Sequence, residues 1–268
     1  MLSQLEKEPA LPFVSNHGVR IFYEVEGAGP PLVLQHGSAC SHAEWREMGY
    51  CDRLRRDYQL ILIDARGHGA SDKPHEPAAY ALSRRVADVI AVLDALSIHH
   101  AHYFGYSMGG WIGFGLAKYA PERIGTLILG GAHPYAEPLQ ARHTSMNQGL
   151  DQFLAASERL VGCHMTPMLR ARLMTTDLHA LRAQTQDRPS IADVLPTMAM
   201  PCLLFVGEND PRLPNVQMCA QHIQNVSFFM VPGCAHFSAW ARSDLVLPSV
   251  TTFLAQHKHS PKRPTGSE

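Results

Sequence analysis

Residues 105–110 read Gly-Tyr-Ser-Met-Gly-Gly, between an apolar run and a helix-period stretch. A glycine in a regular element costs about 0.5–1 kcal/mol relative to alanine, so glycines at this junction point to a sharp turn in which side chains would collide. A strand-to-helix turn of this kind lifts the Ser107 hydroxyl above a sheet and aims the N–H of Met108 at it from the positive end of the helix. Both features suit a nucleophile. A serine hydroxyl needs a base to take its proton, and the base needs a carboxylate to orient it. Asp210 follows the run Cys-Leu-Leu-Phe-Val-Gly and His236 follows Phe-Phe-Met-Val-Pro-Gly, each at the C-terminal end of a strand-like segment. A tetrahedral oxyanion also needs two donors. Met108 N–H supplies one, and Ser38, after Leu-Gln-His-Gly, supplies the second.

These residues must be positioned by elements the sequence also outlines. Short Val/Ile/Leu-rich runs alternate with helix-period segments, which predicts an α/β fold with a largely parallel sheet. The first two strands flank His17-Gly18 and read as an antiparallel hairpin. Leu82, Val86, Val89, Ile90, Leu93 and Leu96 share one helical face within 79–97. Pro248 inside the last helical pattern, Leu245 to Leu254, predicts a late start or a kink. Residues 134–196 break the alternation and hold helical segments only, so they read as an inserted cap. The core is then residues 1–133 and 197–258, and residues 259–268 read as a flexible tail.

The chain has 268 residues, 46% hydrophobic and 18% charged, enough for one sizeable core. A net charge of -1 with mixed signs excludes the footprint of a nucleic-acid or polybasic membrane binder and favours a small, uncharged or weakly charged ligand. The six cysteines lie far apart without metal or disulfide spacing, and the N-terminus lacks the basic start and apolar run of a secretory signal. A cytoplasmic protein is expected. The sixteen histidines show no HxxxH or HExxH pair on a helix, so no metal site is expected.

With Gln-His-Gly-Ser, Asp-Ala-Arg-Gly-His-Gly-Ala-Ser-Asp, Gly-Tyr-Ser-Met-Gly-Gly, Gly-Glu-Asn-Asp-Pro-Arg-Leu-Pro and Pro-Gly-Cys-Ala-His-Phe in this order, the chain resembles the α/β-hydrolase family over nearly its full length. The resemblance implies a mostly parallel eight-stranded sheet with helices on both faces and a helical cap after the sixth strand. It implies Ser107 as nucleophile, Asp210 as acid and His236 as base, with the 64–72 loop as a structural brace. Serine at the elbow argues against the dehalogenases and epoxide hydrolases of that family. A carboxylesterase or lactonase working through an acyl-enzyme, without cofactor or metal, is the leading expectation. The alternatives are a carbon–carbon bond hydrolase of aromatic meta-cleavage products, suggested by Trp240 four residues after His236, a cofactor-free perhydrolase, and a non-catalytic ligand receptor. His42, Tyr106, Phe153, Met165, Met168 and Trp240 are the candidate substrate contacts, the lid residues among them forming an apolar acyl pocket. Oligomeric state leaves no mark in the sequence.

Overall fold

The computed structural model describes residues 12–161, 170, 171, 173 and 176–258. Cys163, Met165, Met168, Met174 and the expected tail 259–268 lie outside them. Eight strands form one sheet: β1 Phe13–Asn16, β2 Val19–Glu26, β3 Pro31–Gln35, β4 Gln59–Ile63, β5 Ala101–Tyr106, β6 Ile124–Gly130, β7 Cys202–Gly207 and β8 Val226–Val231. Their order is β1-β2-β4-β3-β5-β6-β7-β8. β1 and β2 pair antiparallel through a turn in which His17 and Gly18 both take positive φ (50° and 78°), as a two-residue hairpin with right-handed strand twist requires. β2 meets β4 antiparallel, and every later pairing is parallel.

Strands β3 to β7 are buried on both faces, so their sequences are nearly continuous in apolar residues. The two-residue period still sorts them. Val33, Ile61, Ile63, Leu204 and Val206 pack on one face, against α3 Leu82–Ala95, α4 Met108–Tyr119 and α8 Leu213–His222. Leu32, Leu34, Leu60, Leu62, Leu203 and Phe205 point to the other, against α1 Ala43–Glu47, α2 Tyr50–Leu54, α9 His236–Ala241 and α10 Ser243–Gln256. Between β6 and β7 the chain forms α5 Gln140–Asn147, α6 Leu150–Val161 and α7 Leu178–Gln184. Phe153, Leu154, Leu173 and Leu181 form their own small apolar cluster. Ile191, Val194 and Leu195, near the end of this stretch, pack instead into the main core. Among the described residues, no helix is long and apolar enough to cross a membrane.

Pro248 neither delays nor breaks the last helix. α10 runs unbroken from Ser243, placing Pro248 in its second turn. The Thr251 and Thr252 hydroxyls bond back to carbonyls in that turn, Leu247 O at 2.8 Å and Pro248 O at 2.8 Å.

One buried ion pair ties the loop after β4 to α3. Arg66 donates to both carboxylate oxygens of Asp88, each at 2.6 Å, and to Ala79 O at 2.6 Å, while Asn16 Nδ2 donates to Asp88 at 2.7 Å. Both side chains are almost wholly shielded from solvent, and such a pair is costly to break because the survivor keeps an uncompensated charge. Replacing Asp88→Asn should therefore lower the unfolding free energy by about 3–5 kcal/mol, as read from urea denaturation; a loss under about 1 kcal/mol would show that the pair is not holding the loop.

Candidate active site

β5 ends at Tyr106 and α4 begins at Met108, so Ser107 alone makes the turn, with φ 53° and ψ -108°. A non-glycine residue here is strained, and the neighbours hold it. Ser107 N–H donates to Gly130 O at 2.7 Å, and its carbonyl accepts from Trp111 N–H at 2.9 Å. A Cβ on Gly105 would run into the backbone of Gly109, and one on Gly109 into the carbonyl of Gln35. These two glycines let helix, strand and the end of β3 close on one another.

The Ser107 hydroxyl lies 2.8 Å from His236 Nε2, and His236 Nδ1–H donates to Asp210 Oδ2 at 2.6 Å. Asp210 sits just past β7 and accepts Arg212 N–H on its other oxygen at 2.9 Å. Burial alone would raise the Asp210 pKa, but the facing imidazole and this N–H bring it below the usual carboxylate range. His236 moves the opposite way from a salt-bridged histidine. Burial and the nearby Arg212 charge push its pKa below the ordinary value, against the pull of Asp210 and Glu137. It is neutral at pH 7, as a proton acceptor must be.

The loop after β3 lies beside the serine, with the Gly37 backbone facing Ser107 Cβ. Its shape is fixed by His36. Ala65 N–H donates to His36 Nε2 at 3.1 Å, so Nδ1 carries the hydrogen and donates to Gly37 O at 2.7 Å. Asp64 accepts His42 N–H at 2.7 Å, the His42 ring at 2.9 Å and Ala70 N–H at 2.8 Å. Burial opposes its ionisation, yet His42 and His36 hold its pKa down to about 2. The 64–72 segment is a brace, with Asp72 on Arg20 and Arg66 on Asp88.

A cavity of about 350 Å³ opens between α3, α4 and residues 184–191, with Ser38 and Met108 in its wall. Ser38 and Met108, the expected oxyanion donors, line it, and none of the described candidate substrate contacts does. His42 does not, because its ring is committed to Asp64. Tyr106 and Trp240 stack at 5.1 Å beneath His236, and the Tyr106 hydroxyl donates to the His236 carbonyl; they support the histidine from the core side. Phe153 is spent on the small apolar cluster of the inserted helices. Met165 and Met168 lie outside the described residues. The wall of this cavity also holds Arg85, Gln184, Thr185, Gln186 and Arg188 beside Leu82, Trp111 and Ile191. Arg85 was legible as an exception, since it falls on the same helical face as Leu82, Val86 and Val89 and so had to be buried. Arg188 carried no such signal; its partner Glu137 is 51 residues away. Among the described residues, no group of three or more His, Cys, Asp or Glu side chains is placed to hold a metal ion.

The sequence profile of the alpha/beta hydrolase fold matches residues 30–190. A hydrolase of Pseudomonas aeruginosa has a solved structure 27% identical to this chain, with a TM-score of 0.81, covering 92% of this chain and 99% of its own. An esterase of Rhodococcus sp. ECU1013 superposes with a TM-score of 0.79 at 25% identity, over 91% of this chain and 98% of its own. A 2-hydroxy-6-oxononadienedioate/2-hydroxy-6-oxononatrienedioate hydrolase of Paraburkholderia phymatum is 27% identical over 267 residues, 89% of this chain and 92% of its own.

The electrostatics yield a prediction independent of any substrate. The imidazole signals of His236, followed by NMR, should titrate with a midpoint below 6.5. Arg212 lowers that midpoint while Asp210 and Glu137 raise it, so Arg212→Gln should move it upward. A midpoint above 6.5, or a downward move in the variant, would contradict the charge balance described.

Proposed function

The chain belongs to the α/β-hydrolase family, and within it we propose that it is a serine-dependent hydrolase of small carboxylic esters or lactones. One observation carries the reading: the unbroken relay from Ser107 Oγ through His236 to Asp210, at 2.8 and 2.6 Å, on a strained turn above the sheet. In this reading Ser107 Oγ attacks the substrate carbonyl carbon while His236 Nε2 takes its proton. The oxyanion that forms is held by the N–H groups of Ser38 and Met108, the latter at the N-terminus of α4. His236 returns the proton to the leaving alkoxide, the acyl group stays on Ser107, and a water activated by the same imidazole releases the acid. Asp210 holds the ring with Nδ1 protonated and stabilises the imidazolium that appears in each step. Asp210 is buried and ionised, as that task demands.

The esterase similarity at 25% identity supports ester chemistry. Similarity to the Paraburkholderia phymatum hydrolase at 27% identity supports carbon–carbon cleavage as the second reading; Trp240 does not decide between the two, since its indole packs on Tyr106 and Trp45 in the core. We further take residues 134–196 as a cap over the site. Cys51, Cys202, Cys219 and Cys234 are buried free thiols, which suits a reducing, cytoplasmic setting.

p-Nitrophenyl esters of increasing acyl length should be hydrolysed with a clear optimum. Ser107→Ala should fold normally and lose at least about three orders of magnitude in kcat/KM. Turnover retained in that variant would remove Ser107 from the mechanism.

A further inference from the structure

The cavity beside Ser38 and Met108 contains an unbalanced charge. Arg85 is 3% exposed, and among the described residues it makes no ion pair. Its Nε donates to Tyr80 O at 3.0 Å, its Nη1 contacts Met108 Sδ at 3.1 Å, and its guanidinium lies 5.1 Å from the centre of the Tyr80 ring. Nη2 has no hydrogen-bond partner among the described residues. The second cation in the wall is Arg188, 4.7 Å from the centre of the Trp111 ring. It shares Glu137 with Arg212, at 2.9 and 2.5 Å. Arg188 therefore has a carboxylate partner, and Arg85 has none within ion-pair distance among the described residues. Asp187 also reaches this wall and accepts Leu139 N–H at 2.6 Å, but it is exposed, so water screens its charge. Burial, and next to it the charge of Arg188, lower the Arg85 pKa to about 9, so it stays cationic at neutral pH.

Arg188 has Glu137 as its counter-ion, but Arg85 has none among the described residues, and a buried charge without one is expensive unless something negative meets it. The wall also holds an unsatisfied amide: both polar atoms of Gln184 are buried without a hydrogen-bond partner among the described residues. We propose that the substrate carries a carboxylate, bound in this cavity by Arg85 and Arg188, at the far end of an acyl chain whose ester carbonyl sits at Ser38 and Met108. The placement of the carbonyl rests on the oxyanion hole proposed above. Met108 sets the spacing, with its N–H at the carbonyl and its sulfur against Arg85, so the chain between the two groups is about as long as a methionine side chain. The cavity, at about 350 Å³, holds roughly a dozen non-hydrogen atoms if each takes about the share of a liquid water. With Arg188 matched by Glu137, one positive charge is left for the ligand, which a monoanion cancels and a phosphate dianion exceeds; this favours the carboxylate. The weakly charged ligand expected from net composition gives way to an anionic one, because net charge averages over a surface that this cavity does not share.

The test uses Ser107→Ala, so that binding is read without turnover. Calorimetric titration with monomethyl adipate and with methyl hexanoate, its neutral counterpart in chain length, should give at least tenfold tighter binding of the hemiester. The preference should shrink as salt is raised, and it should collapse in Ser107→Ala with Arg85→Gln while Arg85→Lys retains part of it. Equal affinities in Ser107→Ala itself would overturn the proposal whether or not the arginine variants fold. Inorganic phosphate displacing the hemiester at lower concentration than adipate does would overturn the carboxylate assignment. Turnover of both esters by the unsubstituted chain is measured in parallel. Hydrolysis without binding preference defeats this inference alone, and preference without hydrolysis defeats the esterase reading alone.

Discussion

The backbone of α4 comes so close to β5 and to the end of β3 that no Cβ fits at Gly105 or Gly109. That steric constraint organises the molecule around Ser107. With those gaps closed, the residue joining strand and helix must take a positive φ, its hydroxyl must leave the sheet, and the first helical N–H must stand beside it. The loop at Gly37 and Ser38 is carried in by the same close approach. His36, locked by Ala65 N–H, stops it from turning away. The parallel strands then deliver Asp210 and His236 to the same edge, because every crossover returns the chain to start its next strand at the opposite edge.

Electrostatics link this edge to the cavity. Glu137 joins Arg188, which lines the cavity, to Arg212, which faces His236. Its carboxyl is held down to about 2 by those arginines despite burial, so it is a fixed negative charge between two positive ones. The pKa of the base and the charge presented to a ligand therefore depend on one carboxylate. Arg85 feels the charge of Arg188 but touches only Tyr80 and Met108 and has no ion-pair partner among the described residues, which makes it the group a ligand would compensate.

The elbow, the hairpin at His17-Gly18 and the two-residue period of the strands were legible in sequence because each is local: a few residues decide the backbone or the face. The order of serine, aspartate and histidine was legible because each follows a strand. The cavity was not, since its wall joins α3 to a segment a hundred residues later, and apolar lid residues such as Phe153 could as well pack together, which they do. Trp240 misled for a related reason. Its spacing from His236 fits a site residue, but α9 turns it toward Trp45 and Tyr106. Pro248 shows that a helix breaker in sequence is tolerated near a helix start, where the missing N–H leaves a single carbonyl, that of Asp244 in the first turn, without its intrahelical donor.

The central claim is that the turn and the relay make Ser107 an activated nucleophile. A fluorophosphonate, whose phosphorus reacts with such a hydroxyl and expels fluoride, tests it directly by intact-mass and peptide analysis. The account predicts one adduct per chain, on the peptide holding Ser107, with labelling slowed strongly in His236→Ala. An adduct on another residue, or labelling at an unchanged rate without His236, would contradict it.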